Sequence, residues 1–416
     1  MFGFVAIQVL IFSPHHMTFN QQEILKDYRI ACESREASIL ARKEVFMGKA
    51  KFGIFGDGKE VAQLAMAKVF QPGDFRSGYY RDQTFMLAIG ELTIQQYFAQ
   101  LYAYTSVIDE PASGGRMMNS HFGTRMLDEN GNWKVLVNLK NSVIDLSPTA
   151  AQIPHLVGLA YASKLYRQNP LLSNFKDFSN KGNEIAFGTI GNASTSEGMF
   201  FEAINAAGVL QIPMLVSVWD DDYGISVPQN YHTTRQSISQ VLAGFQRTKD
   251  ELGIEIFIVK GWDYPTLCDT YARAAHLCRT EHVPVLIHVQ EMTQPQGHST
   301  SGSHERYKTP ERLVWEAEYD CNKTMKRWLL ANNLATESQL DTIEKEAQES
   351  AKKQKEAAWK AFTQDVQKDH QEVIRLLKEF TNTTSSSQAL NLIIEQLTQV
   401  SNPTRLHATR AVKQSL

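Results

Sequence analysis

Four apolar runs in the second half of the chain do most to limit what it can fold into. They are "EIAFGTIG" (184–191), "IPMLVSVWD" (212–220), "IEIFIVKG" (254–261) and "VPVLIHVQEM" (283–292). A strand with one wet face alternates apolar and polar residues; these runs are apolar nearly throughout, as strands covered on both faces are. Between and before them lie stretches of helical period: "IPHLVGLAYASKLYRQN" (153–169), 197–209, "RQSISQVLAGFQRTKDEL" (235–252) and "TLCDTYARAAHLCRTE" (266–281). Strand and helix in strict alternation predict an α/β fold, a parallel sheet with helices on both faces. In such sheets ligands gather outside the carboxyl ends of the strands.

The flanks read differently. Residues 20–50 carry Ile24, Tyr28, Ile30, Ile39, Leu40 and Val45 on a broadly helical period, predicting one long N-terminal helix, and 80–105 predicts another helical stretch. Residues 309–380 are rich in Lys, Glu, Gln and Ala, a composition for amphipathic helices with solvated outer faces. "TNTTSSSQ" (381–388) reads as a linker, 389–400 as a short helix, and "NPTRLHATRAVKQSL" as the entry into something further. Phe2 to Phe12 is apolar but too short for a membrane span, with no basic residue before it and no small-residue cleavage site after it; translation from Met17, leaving 1–16 as an over-long start, is the expectation. The organisation predicted is an N-terminal extension (1–16), an α/β domain (17–308), a helical region (309–380), and a linker with tail (381–416).

A net charge of -3 gives no reason to expect nucleic acid or an anionic membrane as partner. Four scattered cysteines, with no CxxC pair, argue against a zinc site or a disulfide framework and suit a reducing cytoplasm. No GxGxxG follows a strand, which disfavours a nicotinamide dinucleotide site.

Two loops on the expected rim carry chemistry. Gly191–Ser196 opens a helix, where free N–H groups and the dipole favour an anion, and the small residues Gly191, Ala193 and Ser194 let a phosphate reach the backbone. Asn192 there, and Asp221 at the next strand end, offer two oxygen donors that suit Mg²⁺ bridging protein and diphosphate. The alternative is that these are ordinary turn residues.

The stretch "GNASTSEGMFFEAINAAGVLQIPMLVSVWDDDYGIS" (191–226) resembles the thiamine diphosphate motif, usually G-D-G followed some two dozen residues later by N-N. Its surroundings resemble the alpha chain of the thiamine diphosphate-dependent first component of 2-oxoacid dehydrogenase complexes. "SGYYRDQTFMLAIG" (77–90), "GGRMMNSHFG" (114–123), "LSPTAAQIPHLVGLAYASK" (146–164) and "GHSTSG" (297–302) resemble that family's segments in order, over about 17–380. "GGRMMNSHFG" is nearer the branched-chain (2-oxoisovalerate) type than the pyruvate type.

The resemblance implies the following roles. Tyr80 and Arg81 lie by the cofactor, Arg81 on the diphosphate, the alternative being an ion pair with Asp82 or another acid. Gly191, Asn192, Ala193, Ser194 and Glu197 shape the diphosphate pocket; Thr149 stands where the cofactor bends; Ile225 of "YGIS" lies beside it. Asn192, Asp221 and the backbone carbonyl of Tyr223 hold Mg²⁺. Carboxylate and amide have changed places relative to the family: its metal aspartate falls on Asn192 and its asparagine on Asp221. A second diphosphate arginine of some relatives falls on Trp219. Ser147, Pro148 and Gln152 match a potassium-binding loop of some relatives, but Ala151 stands for a threonine, so K⁺ is not carried over. His298 matches the histidine that helps pass on the substrate-derived group, and His121 the same entrance. The resemblance further implies oxidative decarboxylation of a branched-chain 2-oxo acid, with acyl transfer to a lipoyl-bearing second component. It also implies a beta module supplying the acid that activates the cofactor, in an alpha-2-beta-2 assembly. Pyruvate or acetoin as substrate, and a non-catalytic paralogue, remain as alternatives.

Overall fold

A computed structural model describes residues 20–383, 387–401 and 403–416. The predicted extension 1–16 and the start at Met17 lie outside the described residues. The helices in chain order are α1 (Gln21–Phe46), α2 (Glu60–Val69), α3 (Gln83–Ile89), α4 (Ile94–Leu101), α5 (Gln152–Gln168), α6 (Gly198–Leu210), α7 (Ile238–Val241), α8 (Tyr264–Glu281), α9 (Pro310–Glu318), α10 (Cys321–Ala331), α11 (Glu337–Thr381), α12 (Ser387–Thr398) and α13 (Arg405–Ser415). The strands are β1 (Phe75–Ser77), β2 (Asn141–Ser142), β3 (Ala186–Gly191), β4 (Met214–Trp219), β5 (Tyr223–Gly224), β6 (Val227–Pro228), β7 (Glu255–Lys260) and β8 (Val285–Gln290).

Six strands form one parallel sheet in the order β2-β1-β3-β4-β8-β7, while β5 and β6 make a small antiparallel hairpin beyond the end of β4. The four long strands are the four apolar runs. Every residue of β4 is buried. Its alternate side chains serve two cores: Leu215 packs with Phe85, Phe187 and Leu267 on one face, and Val216 and Val218 with Ile153, Leu156 and Ile204 on the other. Each such side chain contributes roughly 1.5–3 kcal/mol, so the helices on the two faces hold the sheet between them. From β1 the chain passes to β2 on one side and later returns to β3 on the other. The loops after β1 and β3 therefore diverge, which is the geometry of a topological switch point.

Three expectations are corrected. The helix predicted over 235–252 is reduced to α7 and flanking turns. Arg235 and Gln236 have positive φ, and the chain bends back so that Arg247 N donates to Ile254 O. The stretch 80–105 is two helices, α3 ending at Gly90 in a left-handed conformation (φ 84°) before the Thr93–Gln96 capping box opens α4. The run 254–261 is an edge strand with Ile258 exposed, not one covered on both faces.

The C-terminal part is helical. α11 spans 45 residues, about 68 Å at 1.5 Å per residue, and buries Leu340, Ala347, Ala351 and Ala358. Within the tail, Arg405–Ser415 forms α13, which packs with α12 on the end of α11 through Leu377, Ile394, Leu397 and Ala411. Among the described residues no helix is long and apolar enough to cross a membrane.

Candidate active site

The site is built on a fully buried ion-pair cluster. Arg76, in the middle of β1, donates to Asp82 Oδ2 at 2.7 and 2.9 Å and pairs with Asp145 Oδ1 at 2.9 Å. All three side chains are shielded from solvent. Gly78 makes room for this cluster: a Cβ there would sit 2.1 Å from Asp82 Oδ2 and 2.4 Å from Arg76 Nη2. Asp82 also accepts from Thr189 Oγ1 of β3 at 2.5 Å and from Trp219 Nε1 of β4 at 3.4 Å. Three neighbouring strands are thus tied to the turn that presents Tyr79, Tyr80 and Arg81.

Because Asp82 is taken by Arg76, it is not the partner of Arg81. The Arg81 guanidinium donates instead to two backbone carbonyls, Phe55 O at 2.5 Å and His298 O at 3.0 Å, and lies 5.2 Å from the Tyr80 ring centroid. Among the described residues no carboxylate is within ion-pair distance of it, although it is only 3% exposed. A buried guanidinium without a counter-ion is poised for an anion.

The three aspartates after β4 have separate jobs. Asp220 Oδ2 meets His288 Nε2 at 2.7 Å and Gln229 Nε2 at 2.8 Å, fixing the loop to β8. Asp222, at positive φ, pairs with Arg312 of α9. Asp221 alone faces the cleft, and its Oδ2 accepts from Lys59 Nζ at 2.8 Å. Burial would raise the Asp221 pKa, but Lys59, with Arg81 and Lys308 further away, outweighs burial and holds the carboxyl below its usual range. At the end of the neighbouring strand Asn192 is 3% exposed and its Nδ2 is buried with no partner. Turning the amide over puts an unengaged oxygen in the same place. Among the described residues no three His, Cys, Asp or Glu side chains converge as a metal site. A divalent cation here would rest on the Asn192 oxygen, the Asp221 carboxylate, backbone carbonyl and ligand oxygens, a hard-donor set that fits Mg²⁺ rather than zinc.

These groups line one cleft of about 380 Å³ at the carboxyl ends of β1, β3 and β4. Tyr80, Arg81, His121, Ser147, Thr149, Gly191, Asn192, Ala193, Ser194, Asp221, Tyr223, Ile225 and His298 all border it. Glu197 does not. A short 3-10 turn, Ala193–Ser196, intervenes before α6, so Glu197 caps that helix as an exposed residue one turn beyond the cleft. Ser147 Oγ is 3.1 Å from His121 Nε2, and Gln152 Nε2 donates to Thr189 O at 2.9 Å.

His298 approaches Tyr80 edge-on, with ring centroids 6.4 Å apart. Burial, then the nearby Arg81 charge, pushes its pKa down to about 3. It is therefore a neutral imidazole at physiological pH, able to accept or donate a hydrogen bond. In the absence of ligand its NMR resonances are expected not to titrate between pH 8 and 5; a midpoint near 6.5, the ordinary value, would contradict this. The unfolded chain binds this proton first, so the contribution of His298 lowers stability as pH falls from about 6.5 toward 3.

Lys59 was not foreseen. It lies 162 residues from Asp221 in sequence, in no chemical motif. One local sign was available: it is the N-cap of α2, a position where Ser, Asp and Asn are favoured.

The parallel sheet between helices, with a cleft at its switch point, makes this an α/β protein consistent with the thiamine diphosphate-binding fold. The chain belongs to the dehydrogenase E1 component family, whose model matches residues 34–367. It is similar to the 2-oxoisovalerate dehydrogenase subunit alpha of Bacillus subtilis, with 30% identity over 200 residues, covering 48% of this chain and 51% of the relative. The mitochondrial 2-oxoisovalerate dehydrogenase subunit alpha of Caenorhabditis elegans is 26% identical over 309 residues, covering 74% and 62%. The pyruvate dehydrogenase E1 component subunit alpha of Rickettsia bellii is 25% identical over 202 residues, covering 49% and 55%. The chain thus spans about half to three-fifths of the length of these relatives.

Proposed function

We propose that this chain is the alpha half of a branched-chain 2-oxo acid dehydrogenase, binding thiamine diphosphate and Mg²⁺ in the switch-point cleft and acting in the cytoplasm. The observation that carries the reading is Arg81, buried and without a carboxylate partner, facing the Asn192–Asp221 oxygen pair across one cleft. Arg81 would take the diphosphate, and Asn192, Asp221 and the Tyr223 carbonyl the metal. When bound, the cofactor supplies the carbanion and electron sink for decarboxylation. His298, a neutral imidazole, and His121 would line the entrance where the acyl group leaves for a lipoyl arm.

Two features support a missing second half. Among the described residues lining the cleft, Asp221 is the only carboxylic acid, so the acid that activates the cofactor must come from elsewhere. The cleft mouth also carries exposed Met118 and Ile225, apolar residues that a beta module would cover. The ion pair on Asp221 is the one observation that favours a non-catalytic paralogue, since it occupies a metal oxygen.

The test is reduction of an artificial electron acceptor by the chain co-purified with a beta-module partner, with Mg²⁺ and thiamine diphosphate. Highest kcat/KM on 2-oxoisovalerate supports the reading. Preference for pyruvate transfers it to the pyruvate type; the margin should be modest, because one methylene or so in a pocket is worth only about 1–3 kcal/mol. Absence of turnover on either acid, in a folded complex, favours the paralogue.

A further inference from the structure

Lys59 is not a surface lysine that happens to reach an acid. Its side chain is 1% exposed, and its Nζ bonds both Asp221 Oδ2 and Thr293 O at 2.8 Å. The backbone around it is fixed. Gly58, at φ +85°, lies so close to Thr293 that a Cβ would sit 2.0 Å from its carbonyl oxygen. Glu60 is held by Gly58 N at 2.8 Å and by Arg35 at 2.7 and 2.9 Å. A lysine at this N-cap also sets its charge near the positive end of a helix dipole, against local preference. Such local conflict is expected where a residue serves a site. Lys59 does not border the cleft; it stands behind Asp221.

That placement has an electrostatic consequence. An unpaired Asp221 would present a negative charge and attract a divalent cation by itself. With Lys59 in place the pair is formally neutral, and the buried Arg81 adds a positive charge to the cleft, with the buried carboxylates of Asp57 and Asp220 nearby. A cation arriving alone would have to share the Asp221 carboxylate with an ammonium. A diphosphate brings the negative charge that offsets it.

We infer that Lys59 is a positioning residue that makes divalent-cation binding at Asn192 and Asp221 conditional on the diphosphate, so that metal and cofactor enter as a unit. This rests on the cofactor reading proposed above. It is a coupling between two ligands and must be reciprocal.

The experiment titrates the full chain with Mn²⁺ in the absence of thiamine diphosphate, following free Mn²⁺ by electron paramagnetic resonance. Wild type is compared with Lys59→Met and with Lys59→Gln, whose shorter polar side chain carries no charge. Thermal unfolding checks that each variant is folded. If Lys59→Met does not fold, Lys59→Gln carries the comparison. The expected result is Mn²⁺ binding at least about tenfold tighter in the uncharged variants, within the range of ordinary coupling, and abolished by adding Asp221→Ala. Equal cofactor-free affinities in wild type and the Lys59 variants would overturn the inference while leaving the cofactor reading intact. If Asp221→Ala leaves Mn²⁺ binding unchanged with thiamine diphosphate and the beta partner present, the metal site lies elsewhere and both fall.

Discussion

Replacing Arg76 by methionine is expected to destabilise the protein by about 3–5 kcal/mol, the usual cost of breaking a buried ion cluster from one side. The change strands Asp82 and Asp145, both fully buried, without their shared cation. Burial already raises the Asp145 pKa against the pull of Arg76, and without that guanidinium both acids must take up protons or draw in water. Urea unfolding at pH 7 measures the loss. A shift below about 1 kcal/mol, the scale of a surface pair, would mean that the cluster is not the scaffold described. Since Asp82 also receives Thr189 and Trp219, the damage should spread to the turn that carries Tyr80 and Arg81. Residual folded Arg76→Met protein should therefore bind cofactor poorly as well.

Arg81→Met should divide the two roles the other way. Among the described residues the Arg81 guanidinium bonds only to the carbonyls of Phe55 and His298, and removing it strands no carboxylate. Stability should change by less than in Arg76→Met. Thiamine diphosphate binding, measured by calorimetry with the beta partner and Mg²⁺ present, should weaken about 10- to 100-fold, as expected for losing charge-assisted hydrogen bonds worth roughly 1.5–3 kcal/mol. Arg81→Lys should recover little, because a single ammonium cannot span the Phe55 and His298 carbonyls and a phosphate together. Unchanged affinity in Arg81→Met would remove the arginine from the site.

The legible parts of this fold are those in which burial leaves a pattern. β3, β4 and β8 are continuous apolar runs, and each is a buried strand of the sheet. β1 and β2 left no such trace. They are three and two residues long, and β1 has a charged residue at its centre that is buried only because Asp82 and Asp145 fold around it. Periodicity also misled over 235–252. A helical spacing of apolar residues was present, but Gly253 packs so tightly that a Cβ would lie 2.4 Å from Phe245 O, and this close return of the chain replaces the helix.

The site divides along similar lines. Asn192 and Asp221 sit at the ends of adjacent strands, and the ladder pairing Gly191 with Trp219 brings their loops side by side, as the spacing implied. Glu197 was assigned by motif position, and the intervening turn carries it out to solvent. Lys59 was missed because its meaning is entirely tertiary: it becomes chemical only when α2 is docked behind the end of β4. The roles of the aspartates flanking Asp221 are tertiary in the same way. Their partners, His288, Gln229 and Arg312, come from three other segments.

The most direct test of the central claim is the Mg²⁺ dependence of thiamine diphosphate binding, measured by equilibrium dialysis on the chain with its beta partner. Wild type is set against Asn192→Ala and Asp221→Ala. The account predicts saturable binding that requires Mg²⁺ in wild type and is lost or severely weakened in both variants. Binding that is indifferent to Mg²⁺, or indifferent to both substitutions, would contradict it.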